Sequence, residues 1–472
     1  MKKLFTLLPA ILMTALGLIA QTTQTISGQV LDKDSQEPLI GATVRVENSE
    51  PTIGAVTDLE GKFSLKNVPV GRWQVQCSYV GYESWISDPL IVNSARETFL
   101  IILLSEAAAN RMQEVVVTAR KRGNEPINEL SMLSTRSFSV DETQRYAASA
   151  NDPSRMAMGF PGVQPNRDNR SDIVVRGNSG IGLLWRLEGI DIPNPNHFAR
   201  RGSSGGGITI FSVSMLANSD FSTGAFPAEY GNAYSGVFDV HFRKGNPDKR
   251  EYTFRAGMLG LDFSTEGPFR KRPPSSAPAS QSLAGKKATA GESSYLINYR
   301  YSTLGILNKL GLHLVGERID NTFQDLSFNL NFPSKNKKHI FTLWGIGGQS
   351  QETENAVENT ADWKSFTDYY TRDFETNMGA LGATHTAQLK GDAFVKTSIA
   401  AMGQTIDWRN DTLNLDRSPF AVNTEQYDEK RYVVASFLNK KFSRRVSLKT
   451  GFFVNLMPYS FFRNTLGDST GL

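Results

Sequence analysis

The chain has 472 residues, a net charge of +4, 39% hydrophobic residues and a single Cys. One Cys excludes an internal disulfide framework. The near-balanced charge gives no nucleic-acid-binding stripe, and the five His, at 197, 241, 313, 339 and 385, lie too far apart for a His-based metal motif.

Residues 1–20 differ from the rest. Met1, Lys2 and Lys3 precede an apolar run over 4–20, and Gln21 opens a polar stretch. This is the layout of a secretory signal peptide with cleavage after Ala20; a transmembrane anchor is the alternative. No later apolar run approaches the ~20 residues of a membrane-spanning helix. A secreted chain of this kind is soluble or a β-barrel.

Residues 21–106 show short strands and turns. Val44 and Val46 alternate with polar residues, Asp58-Leu59-Glu60-Gly61 is a turn, and Trp73, Val75, Cys77 and Tyr79 share one strand face. The pattern predicts a β-sandwich of about seven strands with Val44, Phe63, Trp73, Val75, Cys77 and Tyr79 in its core. Cys77 is expected to be a buried core residue.

Residues 124–245 read as mixed α and β. Asp152-Pro153 predicts an N-cap followed by Pro at the first helical position. Strands are expected at 173–175 and 183–187. The Gly/Ser-rich stretch 202–207 lacks the Lys-Ser/Thr of a phosphate loop and is expected to be flexible.

After Gly245, longer alternating strands appear. Tyr252 and Phe254, Leu261 and Phe263, Tyr295, Ile297, Tyr299 and Tyr301, and Leu326, Phe328, Leu330 and Phe332 each occupy one face, opposite polar neighbours. In a soluble sandwich the apolar face points inward; in an outer-membrane barrel it points to lipid. Strands of about ten residues, Tyr and Phe near strand ends, and polar stretches at 349–362 and 410–428 favour the barrel. The Pro/Ser/Lys-rich stretch 271–292 is expected to be a flexible loop. The fold class is therefore mainly β: an N-terminal β-sandwich, an α/β domain, then the first strands of an incomplete antiparallel transmembrane barrel.

Three sets of motifs carry a family resemblance. Ser27-Gly28-Gln29-Val30-Leu31-Asp32, the stretch 38–44, Thr57-Asp58-Leu59-Glu60-Gly61-Lys62-Phe63 and the stretches 68–71 and 78–82 resemble the carboxypeptidase-regulatory-like domain of many TonB-dependent outer-membrane receptors. Ile173-Val174-Val175-Arg176-Gly177, Leu187-Glu188-Gly189-Ile190-Asp191-Ile192-Pro193 and Phe226-Pro227-Ala228-Glu229-Tyr230-Gly231 resemble the receptor plug, in its usual order. Ser222-Thr223-Gly224-Ala225 departs from the Lys/Arg-Gly-Pro usual before the last motif. Between the two domains, in a linker over 107–123, Glu114-Val115-Val116-Val117-Thr118 looks like a TonB box; a last strand or plain linker is the alternative.

The resemblance implies energised uptake of a scarce extracellular ligand through a plugged barrel, with TonB and outer-membrane lipid as partners and no cofactor. It places the N-terminal domain in the periplasm of a Gram-negative bacterium. It puts His197, Arg200 and Arg201 in the plug segment expected to face outward, where they could meet an anionic ligand, although solvated loop charges are the preferred reading. Arg176 and Glu188 are expected to be buried or paired. A 22-stranded barrel needs well over ~300 residues, so an N-terminal fragment is expected. A surface-binding protein reusing the same modules is the alternative function. An enzyme is not expected: His313 and Glu317 are a His-x-x-x-Glu pair without a second His nearby.

Overall fold

The computed structural model describes residues 22–94, 96–107, 121–122, 126–128, 134–138, 152–165, 170–257, 260–270, 293–311, 316, 318–336, 338–443 and 446–466. It divides into two compact units, Met1–Gly123 and Asn124–Leu472. Residues 1–20, 114–118, 271–292, His313 and Glu317 lie outside the described residues.

The first unit is built from β1 (Thr23–Asp32), β2 (Thr43–Val46), β3 (Gly54–Val56), β4 (Lys62–Pro69), β5 (Gly71–Trp73), β6 (Val75–Ser78), β7 (Trp85–Ile86), β8 (Leu90–Val92), β9 (Thr98–Leu104) and β10 (Lys121–Arg122). They form sheets ordered β4-β1-β9 and β10-β7-β6-β2-β3, plus the pair β5-β8. That is more, and shorter, strands than the seven expected. The stretch 71–78 is two strands interrupted at Gln74, so β5 pairs with β8 while β6 pairs with β2 and β7. Ile26, Val30, Val44, Phe63, Val75 and Cys77 are buried in one core, with Trp73 and Tyr79 half-buried against it. Burial pushes the Cys77 thiol up to about 12.

The second unit begins with β11 (Thr135–Phe138), α1 (Pro153–Ala157), β12 (Val163–Pro165), β13 (Ile173–Val175), β14 (Leu183–Leu187), β15 (Ile190–Ile192), β16 (Asn196–His197), β17 (Ile208–Thr209), β18 (Ser219–Ser222) and β19 (Gly236–Val240). Asp152 caps α1, its side chain accepting from Ser154 N, and Pro153 opens the helix. A five-stranded sheet, β11-β18-β19-β14-β15, carries a parallel β14–β19 pair at its centre. Trp185 stacks on Phe238 with centroids 4.3 Å apart, and the tilted Phe221 ring also lies 4.3 Å from Phe238. From Leu184 to Leu187 every side chain is buried, because both faces of β14 are covered.

A second, larger sheet follows: β20 (Glu251–Ala256), β21 (Gly260–Pro268), β22 (Ser294–Ser302), then α2 (Leu304–Lys309), β23 (Ile319–Pro333), β24 (His339–Glu354), β25 (Tyr370–Leu389), β26 (Ala393–Leu413), β27 (Pro419–Ser443), β28 (Val446–Leu456) and β29 (Tyr459–Thr465). Each strand is antiparallel to its neighbour in chain order, and β28 and β29 pair with successive parts of β27. They act as one strand broken at Met457-Pro458, where Lys430 N donates to Pro458 O. The polar stretches at 349–362 and 410–428 are not simply loops. Residues 349–354, 410–413 and 419–428 continue the strands, the registers running on through Glu354–Arg372 and Asn410–Asn423.

The sheet is apolar over part of its outer side, and its inner side mixes buried polar and apolar residues. Leu330, Leu343, Ala383, Ile399, Val434 and Val454 are register partners across six strands. Phe254, Ile399 and Val434 are exposed. Further along the same strands the outer row turns polar: Gln324, Gln349, Asn377, Thr405 and Asp428. The inner side buries Asn298, Asp325, Ser327, Asn329 and Gln404. Alongside them Leu296, Trp344, Ile346, Met402 and Val433 join one hydrophobic core with Trp185, Phe211 and Phe238 of the α/β part. No helix among the described residues is long and apolar enough to cross a membrane, which says nothing of a β-barrel.

Candidate functional site

Two of the plug-like motifs are turns. Arg176 and Gly177 have φ of 51° and 77°, and Val175 bridges Asn178 across them. Glu188 and Gly189 have φ of 54° and 85° and join β14 to β15. Two successive positive-φ residues, the second a Gly, are what a tight I′ hairpin requires. The Arg-Gly and Glu-Gly pairs are thus fixed by backbone geometry. Arg176 is not buried; it is exposed and donates to Ser134 Oγ and Thr223 Oγ1 at 2.9 and 3.3 Å. Glu188 is half-buried, accepts from Phe242 N at 2.8 Å and lies 4.0 Å from Lys396 Nζ on β26.

The buried charge is Arg186, two residues before that turn and 1% exposed. Its Nε is 3.1 Å from Asp191 Oδ1, and its Nη1 is 3.8 Å from Asp239 and 3.9 Å from Glu229. Nη2 donates to Gly189 O at 2.6 Å, and the guanidinium lies over the Tyr230 ring at 4.7 Å. Tyr230 Oη donates to Asp239 at 2.9 Å, while Lys449 of β28 reaches both oxygens of Glu229 at 2.6 Å. Gly231 beside Tyr230 is exposed. Burial raises the pKa of Asp191 despite Arg186 and Arg431 nearby. For Asp239, burial acts upward, but Arg186, His241 and the Tyr230 hydroxyl outweigh it and the pKa is lowered. One arginine thus holds three carboxylates from separate segments. A lone Arg in the apolar run Leu183-Leu184-Trp185-Arg186-Leu187 was the available sequence signal.

The segment after β15 carries the ligand candidates. His197 does not face outward: it is 1% exposed, with Nε2 3.0 Å from Asp325 Oδ2 of β23. Arg300 grips the same carboxylate at 2.7–3.0 Å and donates to Thr209 O at 2.6 Å. Burial lowers the His197 pKa. Arg200 is half-buried over the Trp408 ring at 4.5 Å, and exposed Arg201 lies over Phe461 at 4.1 Å with Nε 3.3 Å from Glu425. The structure brings Arg200 and Arg201 to the long-strand end of the sheet and separates His197 from them.

The stretch 202–207 is a packed turn, contrary to the flexible loop expected. Ser204, Gly205 and Gly206 are buried. Gly205 N donates to Asp172 Oδ1, Gly206 N to Ser171 Oγ, and Ser171 N to Gly206 O. A Cβ on Gly206 would lie 2.2 Å from His197 O, so glycine is needed for the close approach.

Charged pairs also bind the α/β part to the sheet elsewhere. Arg243 makes two 2.6 Å bonds to Glu266 of β21, and Arg431 of β27 donates to Asp191 O at 3.4 Å. Among the described residues no group of three His, Cys, Asp or Glu is placed to hold a metal.

Residues 26–117 match the CarboxypepD_reg-like domain family, so the first unit contains that domain. No curated protein matches the chain. Among solved structures, the chain is similar to the pyoverdine outer membrane receptor FpvA of Pseudomonas aeruginosa, at 11% identity and TM-score 0.45, covering 67% of this chain and 46% of that one. The siderophore receptor PirA of Acinetobacter baumannii aligns at 13% identity and TM-score 0.38, over 71% of this chain and 59% of that one. The ferric-catecholate import receptor Fiu of E. coli aligns at 10% identity and TM-score 0.38, over 72% and 61%. The chain thus spans about half the length of these receptors.

Proposed function

We propose that this chain belongs to a TonB-dependent outer-membrane receptor, in which the large sheet is barrel wall and the α/β part is the plug. The observation that carries this is the reversed polarity of the sheet. A soluble sheet does not leave an apolar row across six strands half-buried or exposed while burying asparagines and aspartates on its other side. A lipid-facing wall around a plug does both. The plug is held to that wall by a shared hydrophobic core and by charged and polar contacts, and water entering the barrel would weaken the latter.

In this account the unit before the plug lies in the periplasm and Glu114, Val115, Val116, Val117 and Thr118 form the TonB box. Three valines favour an extended strand that pairs its backbone with TonB. The external ligand arrives at the opposite, long-strand end, where Arg200 and Arg201 sit among Trp408, Phe461 and Glu425.

A photo-crosslinking residue at Val116, in cells expressing the protein from its own gene, tests this. The expected result is an adduct recognised by antibody to TonB. Outer-membrane protein that yields no adduct would favour a surface-binding protein without energised transport.

A further inference from the structure

We propose that the short-turn rim of the wall is a docking surface for anionic phospholipid headgroups. The proposal rests on the barrel account and names the lipid that this wall selects. β23 is joined to β24, and β25 to β26, at one end of the sheet. The described residues of those two connections include Lys335, Lys338 and Lys390 against the single acid Asp392. Lys335, Lys338 and Lys390 are exposed. No carboxylate among the described residues forms an ion pair with any of these three. The opposite end of the same strands mixes both signs, with Arg372 paired to Glu352 and Glu354 and Lys430 to Asp428. Positive charge with no ion-pair partner among the described residues therefore lies beyond one edge of the apolar rows.

Next to the basic rim lies a cluster of rings on the outer face. Phe269 packs on Phe332 at 5.2 Å and on Tyr295 at 5.4 Å. Phe341 stacks on His385 at 4.4 Å, and His385 Nε2 is 3.1 Å from His339 Nδ1. Aromatic rings settle at the level of lipid headgroups, so lysines just beyond them reach phosphate depth. A zwitterionic headgroup returns no net charge to these three lysines. A headgroup with a net negative charge does, and each lysine near an anionic surface adds to its hold.

The test uses the full-length protein with phosphatidylcholine vesicles and with vesicles containing about a quarter phosphatidylglycerol. Spin-labelled lipids of each class report relative association at the protein surface. The expected result is preferential association of phosphatidylglycerol, weakened by salt and lost in the Lys335→Gln/Lys338→Gln/Lys390→Gln variant, by up to about fivefold per charge. Equal association of the two lipids with the parent, or a preference that survives in the variant, would overturn the proposal while leaving the barrel intact. Failure of the parent to enter either vesicle would overturn the barrel account, and this proposal with it.

Discussion

Arg186 Nε lies 3.1 Å from Asp191 Oδ1 across the turn that joins β14 to β15, with the guanidinium 1% exposed. Asp239 and Glu229 approach the same group from β19 and the segment before it. Breaking a buried ion network by removing one partner strands the remaining charges. Arg186→Met is therefore expected to destabilise the second unit by ~3–5 kcal/mol. Adding Asp239→Asn is expected to recover part of the loss. Denaturant unfolding of the detergent-solubilised protein measures both; additive losses would remove the network from the account.

The two glycine environments separate strain from crowding. Gly177 has a φ of 77° with open space where a Cβ would stand. Gly177→Ala is expected to cost ~1–2 kcal/mol, the penalty for a left-handed L-residue. Gly206→Ala must displace the His197 carbonyl and is expected to cost more. Equal unfolding midpoints for the two variants would contradict this.

His197 gives a pH dependence with a definite sign. Burial lowers its pKa below the ordinary 6.5, so the unfolded chain takes the proton first. Its contribution is fully present above that value and declines as the pH falls below it, toward the folded pKa. His197→Gln is expected to flatten the stability profile below pH 6.5 by at most about 1.4 kcal/mol per pH unit. Urea titrations at several pH values read this directly, and parallel profiles for parent and variant would exclude His197 as the source.

Much of the fold was legible in the chain because strand alternation has a period of two. The runs at 252–263 and 326–332 marked their own apolar faces, and Asp152-Pro153 marked the start of α1. Alternation does not say which face meets solvent; that appears only once Asn298 and Asp325 are seen buried against the α/β part. The site was less legible. Arg176 and Glu188 stood out as charges, yet their positions are set by turn geometry. Arg186 carries no such signal of its role, because its partners, at 191, 229 and 239, come together only in three dimensions. The polar stretches at 349–354 and 419–428 lacked apolar alternation, and only pairing along β24–β27 makes them strands.

The lipid-facing row has an energetic consequence. Ile399 is 55% exposed in the middle of it. Ile399→Arg is expected to reduce the free energy of folding into vesicles by ~2–4 kcal/mol. Thr405→Arg, in the polar row two outer positions beyond Gly403's neighbour Ala401, is expected to be tolerated. Similar losses at both positions would indicate a soluble sheet.

The wall's orientation toward lipid is tested most directly by site-specific quenching. Cys77 is buried with its thiol pushed up to about 12, so single cysteines introduced elsewhere can be labelled selectively in the folded protein. A fluorophore at Leu343 or Ile399 in vesicles of brominated lipid is expected to be strongly quenched, and one at Thr405 much less. Equal quenching at all three sites, or quenching of Leu343 and Ile399 labels by aqueous iodide instead, would contradict a membrane-facing wall.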